Sequence, residues 1–157
     1  MDQSDIIVIK NFSDLSINEL YDILHARQEV FAIEQKILYQ DLDYIDQNSI
    51  HLFITDNSND KKCKLKAYLR IIKPGVKYPE ASIGRVLTLK EYRGSGLGRE
   101  IMEAGIKEAV KKFGIPIKIE AQEYLRDFYI SLGFEPISEP FILEGISHIE
   151  MILNKES

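Results

Sequence analysis

The 157-residue sequence predicts one mixed α/β domain, of the α+β type, over residues 1–157. Short runs that alternate between apolar and polar residues indicate strands, and longer segments with apolar residues at helical spacing lie between them. Hydrophobic residues make up 45% of the chain, which is enough for one compact core. No repeat or low-complexity tract divides the sequence. We expect the elements in the order β-α-β-β-β-α-β-α-β-β.

The first half of the chain is expected to hold four strands and one helix. Ser16 and Glu19 have capping-box spacing, which predicts a helix from near Ile17 to about residue 34. Residues 36–48 are expected to form a loop or a short helical turn. The strands are expected at 5–12, 51–55, 64–72 and 82–89, with a turn at 56–60. The apolar side chains expected on the core face of the helix are Ile17, Leu20, Tyr21, Leu24 and Phe31.

The second half is expected to begin with the longest helix and to end with an antiparallel strand pair. Gly114 stands where a helix C-cap glycine belongs, and Gly133 closes a second, short helix in the same way. The core face of the long helix is expected to hold Ile101, Met102, Gly105, Ile106, Ala109, Val110 and Phe113, and that of the short one Leu125, Phe128, Tyr129 and Leu132. Strands are expected at 115–121, 134–142 and 146–153.

Charge and cysteine content limit the classes of function. The formal net charge of −5 argues against general attraction to nucleic acid or to anionic membranes, so neither is expected as a partner. No signal peptide is recognisable and no apolar run approaches the ~20 residues of a membrane helix, so we expect a cytoplasmic protein. Cys63 is the only cysteine, and we expect it to be a small strand residue, with no bound metal. Monomer and homodimer both stay open.

Three glycines at alternate positions stand directly before the long helix. Glycine is costly inside regular structure, so three at one turn indicate that bare backbone is needed there. A helix N-terminus carries unpaired N–H groups and about half a positive charge, and it attracts phosphate. The Walker and dinucleotide patterns fail at Arg99, but the spacing Arg-x-x-Gly-x-Gly fits and predicts a bound diphosphate. The residues of this predicted anion site are Arg93, Gly94, Ser95, Gly96, Leu97, Gly98 and Arg99.

The strand at 82–89, the glycine turn at 91–98 and the stretch 125–134 together resemble the GNAT acyl-CoA-dependent N-acetyltransferases. Similarity at 27–35, 121–129 and 144–151 narrows the resemblance to the ElaA-like subgroup. The family implies a splayed, mostly antiparallel sheet flanked by helices, with the pantetheine arm of coenzyme A between the fourth and fifth strands. It also implies that Val86, Leu87 and Thr88 bind this arm through their backbone. Gln122 stands where the family more often has an asparagine that contacts the cofactor.

The resemblance implies direct transfer of the acetyl group of acetyl-CoA to an amine in a ternary complex. Tyr129 stands where many family members carry the residue that protonates the departing sulfur. The general base stays open among His148, Glu120 and Glu34; imidazole suits proton transfer near neutral pH.

An acidic stretch stands between the first helix and the second strand. Residues 34–46 carry one lysine, Lys36, and four acids, so their local charge is −3; the acids are Glu34, Asp41, Asp43 and Asp46. These carboxylates either attract a cationic acceptor or are solvated loop acids. We expect a primary amine, on a small molecule or a peptide, as the acceptor. A longer acyl donor and a non-catalytic acyl-CoA-binding module remain as alternatives.

Overall fold

The computed structural model describes residues 1–58 and 65–155, so Cys63 and the end of the turn expected at 56–60 lie outside the described residues. The described strands form one eight-stranded sheet. In chain order they are β1 (Asp5–Asn11), β2 (Ser49–Asp56), β3 (Leu65–Ile72), β4 (Ala81–Thr88), β5 (Ile117–Gln122), β6 (Glu135–Pro136), β7 (Phe141–Leu143) and β8 (Ile146–Leu153). The α-helices are α1 (Ile17–Arg27), α2 (Leu97–Phe113) and α3 (Arg126–Ser131). The mixed α/β prediction is confirmed.

The sheet consists of two arms that are joined at one end. Its strand order is β1-β2-β3-β4-β5-β8-β6, and β7 also pairs with β8. All neighbours are antiparallel except β4 and β5, which pair in parallel through Ala81–Ile117 and Ser82–Lys118. Beyond these two pairs the strands diverge and leave a V-shaped gap, which confirms the expected splayed sheet.

A β-bulge distorts β4 where it borders this gap. Tyr68 of β3 pairs with Leu87, but Arg70 pairs with Gly84, so β4 carries one extra residue between these positions. Arg85 lies in the bulge at φ 50°, in the left-handed region that non-glycine residues rarely adopt. A bulge bends and twists its strand, so it re-aims the side chains of β4 that face the gap.

Helix α1 begins as predicted but buries a different face. Ser16 Oγ accepts from the Glu19 N–H at 3.0 Å and Glu19 Oε1 accepts from the Ser16 N–H at 2.8 Å, which completes the capping box. After α1 the chain continues as a π-helical segment, Gln28–Glu34. The expected core face was wrong at Ile17 and Tyr21, which are 88% and 71% exposed. The helical side chains that are buried are Ile23, Ala26, Arg27, Val30 and Phe31.

The long helix packs closely against the opposite face of the sheet. A Cβ atom at Gly105 would lie 2.7 Å from Leu69 Cδ2 of β3, so any larger residue there would force the buried Leu69 side chain to move. The expected core face of α2 is confirmed, with Ile101, Met102 and Ala109 fully buried. This packing fixes the height of the α2 N-terminus above the end of β4.

The strand expected at 134–142 is two short strands. Pro136 and Pro140 cannot donate to a ladder. Between them regular pairing ends, although the Ile137 N–H still donates to the Glu150 carbonyl at 2.8 Å. Ser138 Oγ accepts from the Glu150 N–H at 2.9 Å in place of a backbone partner. The residues before and after this break, in β6 and β7, both pair with β8.

Candidate active site

A cavity of about 630 Å³ lies in the gap between β4 and β5. It is lined by all four predicted acid–base candidates, Tyr129, His148, Glu120 and Glu34. Most of the predicted cofactor-binding residues also line it, namely Val86, Leu87, Thr88, Arg93, Gly94, Gly96, Leu97, Gly98 and Gln122. Ser95 and Arg99 are not among the lining residues. Residues from distant parts of the chain therefore meet at one place.

The glycine turn presents bare backbone at the end of this cavity. Gly94 and Gly96 have φ values of 86° and 88°, which residues other than glycine adopt only with strain. No side chain caps α2, and its first backbone hydrogen bond runs from the Glu100 N–H to the Gly96 carbonyl at 3.1 Å. By helix geometry, the preceding N–H groups of Leu97, Gly98 and Arg99 have no acceptor within the helix. This arrangement fits the diphosphate of a nucleotide cofactor.

The two predicted anion-site residues outside the cavity wall make other contacts. Ser95 Oγ donates to the Tyr92 carbonyl at 2.8 Å, which closes the turn before α2. The Arg99 guanidinium donates to Ser131 Oγ at 2.6 Å and lies 5.6 Å from the ring centre of Phe128. Arg99 therefore joins α2 to α3.

The end of the π-helical segment contacts both sides of the cavity. Arg93 donates through Nε to the Thr88 carbonyl at 2.9 Å and through Nη2 to Glu34 Oε2 at 2.7 Å. The next residue, Gln35, exchanges amide contacts of 3.4 Å with Gln122 of β5. The Glu34 carboxylate is therefore engaged by a cation, so one of its oxygens already has a partner.

Tyr129 projects from α3 into the core side of the cavity. It is 6% exposed and makes edge-to-face contacts with Phe128 and Phe134, at ring-centre distances of 5.2 and 6.0 Å. Burial raises the pKa of Tyr129 well above that of a free phenol, and the nearby Tyr124 raises it further. The hydroxyl therefore keeps its proton at neutral pH.

His148 and Glu120 lie on neighbouring strands of the second arm. His148 of β8 pairs directly with Gln122 of β5. His148 Nδ1 lies 2.7 Å from the Ile146 carbonyl, which can only accept, so Nδ1 carries a proton and Nε2 keeps its lone pair in the neutral ring. Glu120 Oε2 lies 3.7 Å from Lys77 Nζ. Both side chains line the cavity.

The acidic stretch before β2 is neither a free acidic surface nor a set of solvated acids, so both expectations for it were wrong. Arg27 Nη1 donates to Asp46 Oδ1 at 2.6 Å, and Arg70 Nη1 donates to the same oxygen at 2.9 Å. Both arginines are fully buried. Burial opposes ionisation of Asp46, but the hydrogen bond and charge of Arg27, with the charge of Arg70, hold its pKa below the usual range.

Two further aspartates of the stretch complete this ionic network. Asp43 accepts from Arg70 Nη2 at 2.6 Å, and Asp41 accepts from Arg85 Nε at 2.8 Å. Burial opposes ionisation of Asp43, yet the hydrogen bonds and charge of Arg70 hold its pKa well below the usual range. The network fixes residues 41–46 against the sheet beside the cavity. Sequence reasoning missed it, although a lone arginine in the apolar strand β3 is the signal that points to it.

His51 sits beside the network inside the protein. Its Nε2–H donates to the Asp46 carbonyl at 2.9 Å, and its Nδ1 accepts from the Tyr68 hydroxyl at 2.7 Å. Burial lowers the pKa of His51, more than the hydrogen bond to Asp46 raises it. His51 is therefore neutral and structural.

The described residues contain neither a membrane-spanning helix nor a cluster of metal-ligating side chains. None of the helices in 1–58 and 65–155 has both the length and the apolar character needed to cross a bilayer. In the same part of the chain, no three His, Cys, Asp or Glu side chains are grouped as metal ligands would be.

Comparison with known proteins agrees with the geometry. A family model described as an acetyltransferase (GNAT) domain matches residues 22–155. The UPF0039 protein sll0451 of Synechocystis is 42% identical over 144 residues, 91% of each chain. Protein ElaA of Escherichia coli is 35% identical over 140 residues, 88% of this chain and 90% of ElaA. The crystal structure of an acyl-CoA N-acyltransferase from Pseudomonas aeruginosa superposes with a TM-score of 0.86 at 34% identity, covering 95% of this chain and 99% of that one. The chain thus belongs to the GNAT family of acyl-CoA-dependent acyltransferases, within its ElaA-like branch.

Proposed function

We propose that this chain is an N-acetyltransferase that transfers the acetyl group of acetyl-CoA to a primary amine. One observation carries the proposal: a single cavity joins an uncapped helix N-terminus to a buried phenol and an imidazole. The first feature suits a diphosphate, and the other two suit proton transfer at the reacting end. We further propose that residues 1–157 act as one domain in the cytoplasm.

The residues that would hold the cofactor come from three elements. The N–H groups of the turn from Arg93 to Gly98 would bind the diphosphate, with the charge of Arg93 beside them. The unpaired edge of β4 at Val86–Thr88 would bind the pantetheine arm through backbone groups, opposite the Gln122 amide. Acetyl-CoA supplies the acyl group as a thioester, whose C–S bond breaks as the C–N bond to the amine forms.

Tyr129 is proposed as the proton donor to the departing sulfur. Its raised pKa keeps the proton on the phenol until negative charge develops nearby. A thiol has an ordinary pKa near 8.5, so full transfer from this phenol is uphill and the proton is shared in a hydrogen bond. Tyr129 therefore acts mainly by stabilising the charge on sulfur.

His148 is proposed as the group that takes the proton from the amine. An alkylamine has a pKa near ~10.4, so nearly all of it is protonated and unreactive at neutral pH. The Ile146 carbonyl fixes the Nδ1–H tautomer of His148, which leaves Nε2 as the acceptor. Glu120 remains as the second candidate, whereas the short pair with Arg93 argues against Glu34.

The test is release of free coenzyme A, measured by a thiol reagent with a panel of acyl-CoA donors and amines. We expect amine-dependent release with acetyl-CoA, and mass spectrometry should find the acetylated amine. Faster release of coenzyme A from a longer acyl-CoA would show that the longer acyl-CoA, and not acetyl-CoA, is the preferred donor. Release that stays at the hydrolysis background with every amine, despite tight acyl-CoA binding, would favour a non-catalytic sensor.

A variant pair checks the role of Tyr129 in the same assay. Tyr129→Phe should lower kcat about 100-fold, a usual contribution of general acid catalysis, with little change in the Kd of acetyl-CoA. Tyr124→Phe is the control, because it removes a hydroxyl from an exposed residue of the same cavity wall. Equal kcat in both variants would rule out the proposed proton donor.

A further inference from the structure

Most charged side chains that line the cavity are already engaged by short contacts. Arg70 and Arg85 hold aspartates of the acidic stretch, and Arg93 holds Glu34. Lys77 and Glu120 differ, because their Nζ and Oε2 atoms lie 3.7 Å apart, beyond hydrogen-bond distance. Among residues 1–58 and 65–155, neither side chain makes another hydrogen bond or ion pair. This pair therefore keeps its capacity to bind opposite charges.

The fold gives Glu120 a negatively charged neighbour and one weakly engaged cation. In the β5–β8 ladder Glu120 stands directly opposite Glu150, and like charges at such a position destabilise a sheet. Glu150 pairs with Lys118 at 3.5 Å, and among the described residues the cation paired with Glu120 is Lys77 at 3.7 Å. An added cation beside Glu120 would relieve this repulsion.

Lys77 is presented to the cavity by a tight turn between β3 and β4. The Gly75 N–H donates to the Tyr78 carbonyl at 2.7 Å, which places Lys77 inside the turn. Its ammonium lies 5.4 Å from the Tyr78 ring centre, and its side chain is 35% exposed. Lys77 is therefore held near Glu120 and remains accessible to an anion from the cavity.

We propose that Lys77 and Glu120 recognise the acceptor, and that the acceptor is an α-amino acid. Its ammonium would pair with Glu120 and its carboxylate with Lys77. In an α-amino acid these two groups are separated by about 3 Å, comparable with the 3.7 Å between the two protein charges. An amine without a carboxylate would compete with Lys77 for Glu120 and leave Lys77 unpaired. The inference rests on the proposed acyl transfer to an amine, and it makes Glu120 an anchor for the ammonium while His148 takes the proton.

The test compares acceptors that differ only at the carboxylate. L-leucine, L-leucinamide and 3-methylbutylamine are offered with acetyl-CoA, and kcat/KM is measured by thiol release. L-leucine should exceed the other two by about tenfold or more, as expected for a charge-assisted contact. The same comparison with L-phenylalanine and 2-phenylethylamine separates the carboxylate effect from side-chain preference. Preference for the amide or the simple amine in both series would overturn the inference.

Charge reversal at Lys77 gives a second test. Lys77→Glu should abolish the preference for L-leucine and favour 1,4-diaminobutane over L-ornithine, because two carboxylates then face the acceptor. Lys77→Gln should lose the preference without this reversal. Lys73→Glu is the matched control, since Lys73 is exposed on the same connection and does not line the cavity. An unchanged order of acceptors in Lys77→Glu would refute the assignment.

Binding distinguishes failure of the inference from failure of the proposed function. Calorimetry in the presence of coenzyme A measures amino acid affinity without turnover. Tighter binding of L-leucine than of 3-methylbutylamine, lost in Lys77→Glu, supports the recognition site even if no acetyl donor is used. Turnover of amines with no such difference in kcat/KM or in binding contradicts the recognition site alone.

Discussion

His148 and Glu34 differ in how their hydrogen-bonding capacity is used. The carbonyl of Ile146 takes the Nδ1 proton of His148 and leaves the opposite nitrogen unengaged. Arg93 Nη2 donates to Glu34 Oε2 at 2.7 Å, so this carboxylate oxygen already has a partner. A group that accepts the amine proton needs a free lone pair aimed at the amine. We therefore expect substitution of His148 and of Glu34 by glutamine to have different effects on kcat.

His148→Gln should lower kcat about 100-fold, because the variant keeps a polar side chain but cannot accept the amine proton. Glu34→Gln should change kcat only a few-fold and should act mainly through Arg93 on the KM for acetyl-CoA. The converse result, a large kcat loss in Glu34→Gln alone, would transfer the base role to Glu34. Steady-state kinetics between pH 6 and 9 provide the measurement.

At the scale of elements, the junction of β4 with α2 gives the proposed anion site its donors. Gly94 and Gly96 have left-handed backbone conformations there. A substitution at either would therefore strain the backbone, and this effect on affinity could not be separated from a direct loss of phosphate binding. Gly98 is different, because its φ is ordinary and a Cβ would meet only Thr88 Oγ1 at 3.8 Å. Gly98 is therefore the position at which charge can be tested separately from backbone strain.

Gly98→Asp should weaken acetyl-CoA binding at least about tenfold while the protein becomes no less stable. A carboxylate in the first turn of a helix stabilises it by about 0.3–1 kcal/mol, yet it repels a phosphate from the same N–H groups. Gly98→Asn is the control, since it has a similar shape without charge and should bind more tightly than Gly98→Asp. Calorimetric Kd and the thermal midpoint give the two readouts. Unaltered affinity in Gly98→Asp would mean that the diphosphate binds elsewhere.

Elements with local signals were predictable, and those fixed by distant contacts were not. The capping box at Ser16 and the C-cap at Gly114 depend on neighbouring residues, and both were predicted. The face of α1 was wrongly phased because its buried stripe passes through Arg27, which the polar–apolar pattern assigns to solvent. Only the aspartates that follow later in the chain make burial of that arginine possible.

At the scale of the whole molecule, the ionic network and His51 join three elements that the sequence separates. Arg27 belongs to α1 and Arg70 to β3, and both bind Asp46 in front of β2. His51 holds the carbonyl of that same aspartate. Removing one partner of a buried ion pair typically costs about 3–5 kcal/mol, so the position of residues 41–46 depends on the network.

His51 should make stability fall on mild acidification. Its pKa is lowered in the folded state, so the unfolded chain binds more protons below the ordinary histidine value near 6.5. Its contribution is fully present above that pH and is lost at up to about 1.4 kcal/mol per pH unit below it. Asp43 and Asp46 also have lowered pKa values, but their contribution to the free energy of unfolding changes with pH only below about pH 4.

Urea unfolding at pH 5.0–7.5 checks this dependence. The slope between pH 6.5 and 5 should flatten in His51→Asn, whatever the loss of overall stability. His25→Asn is the matched control, since it makes the same substitution at an exposed histidine. A full slope in His51→Asn would show that another group titrates there.

The candidate site was largely predictable because the glycine turn and the stretch 125–134 lie in contiguous sequence. The general base was not, since His148 and Glu120 meet only through the strand order that places β8 beside β5, and Glu34 reaches the same cavity from the π-helical segment. Lys77 escaped notice for the same reason: nothing near it in the sequence distinguishes it from other exposed lysines.

The two-pair seam between β4 and β5 affects how far this protein can diverge. A peptide-like molecule lying in the gap beyond these two pairs would form hydrogen bonds with the backbone of β4 and of β5, as an additional strand would. Amino-acid replacements that preserve the backbone conformation have little effect on such hydrogen bonds. On the proposed function, side chains that border the β4–β5 gap could therefore change during evolution and select different acceptors, while binding of the acyl donor through the backbone would be retained.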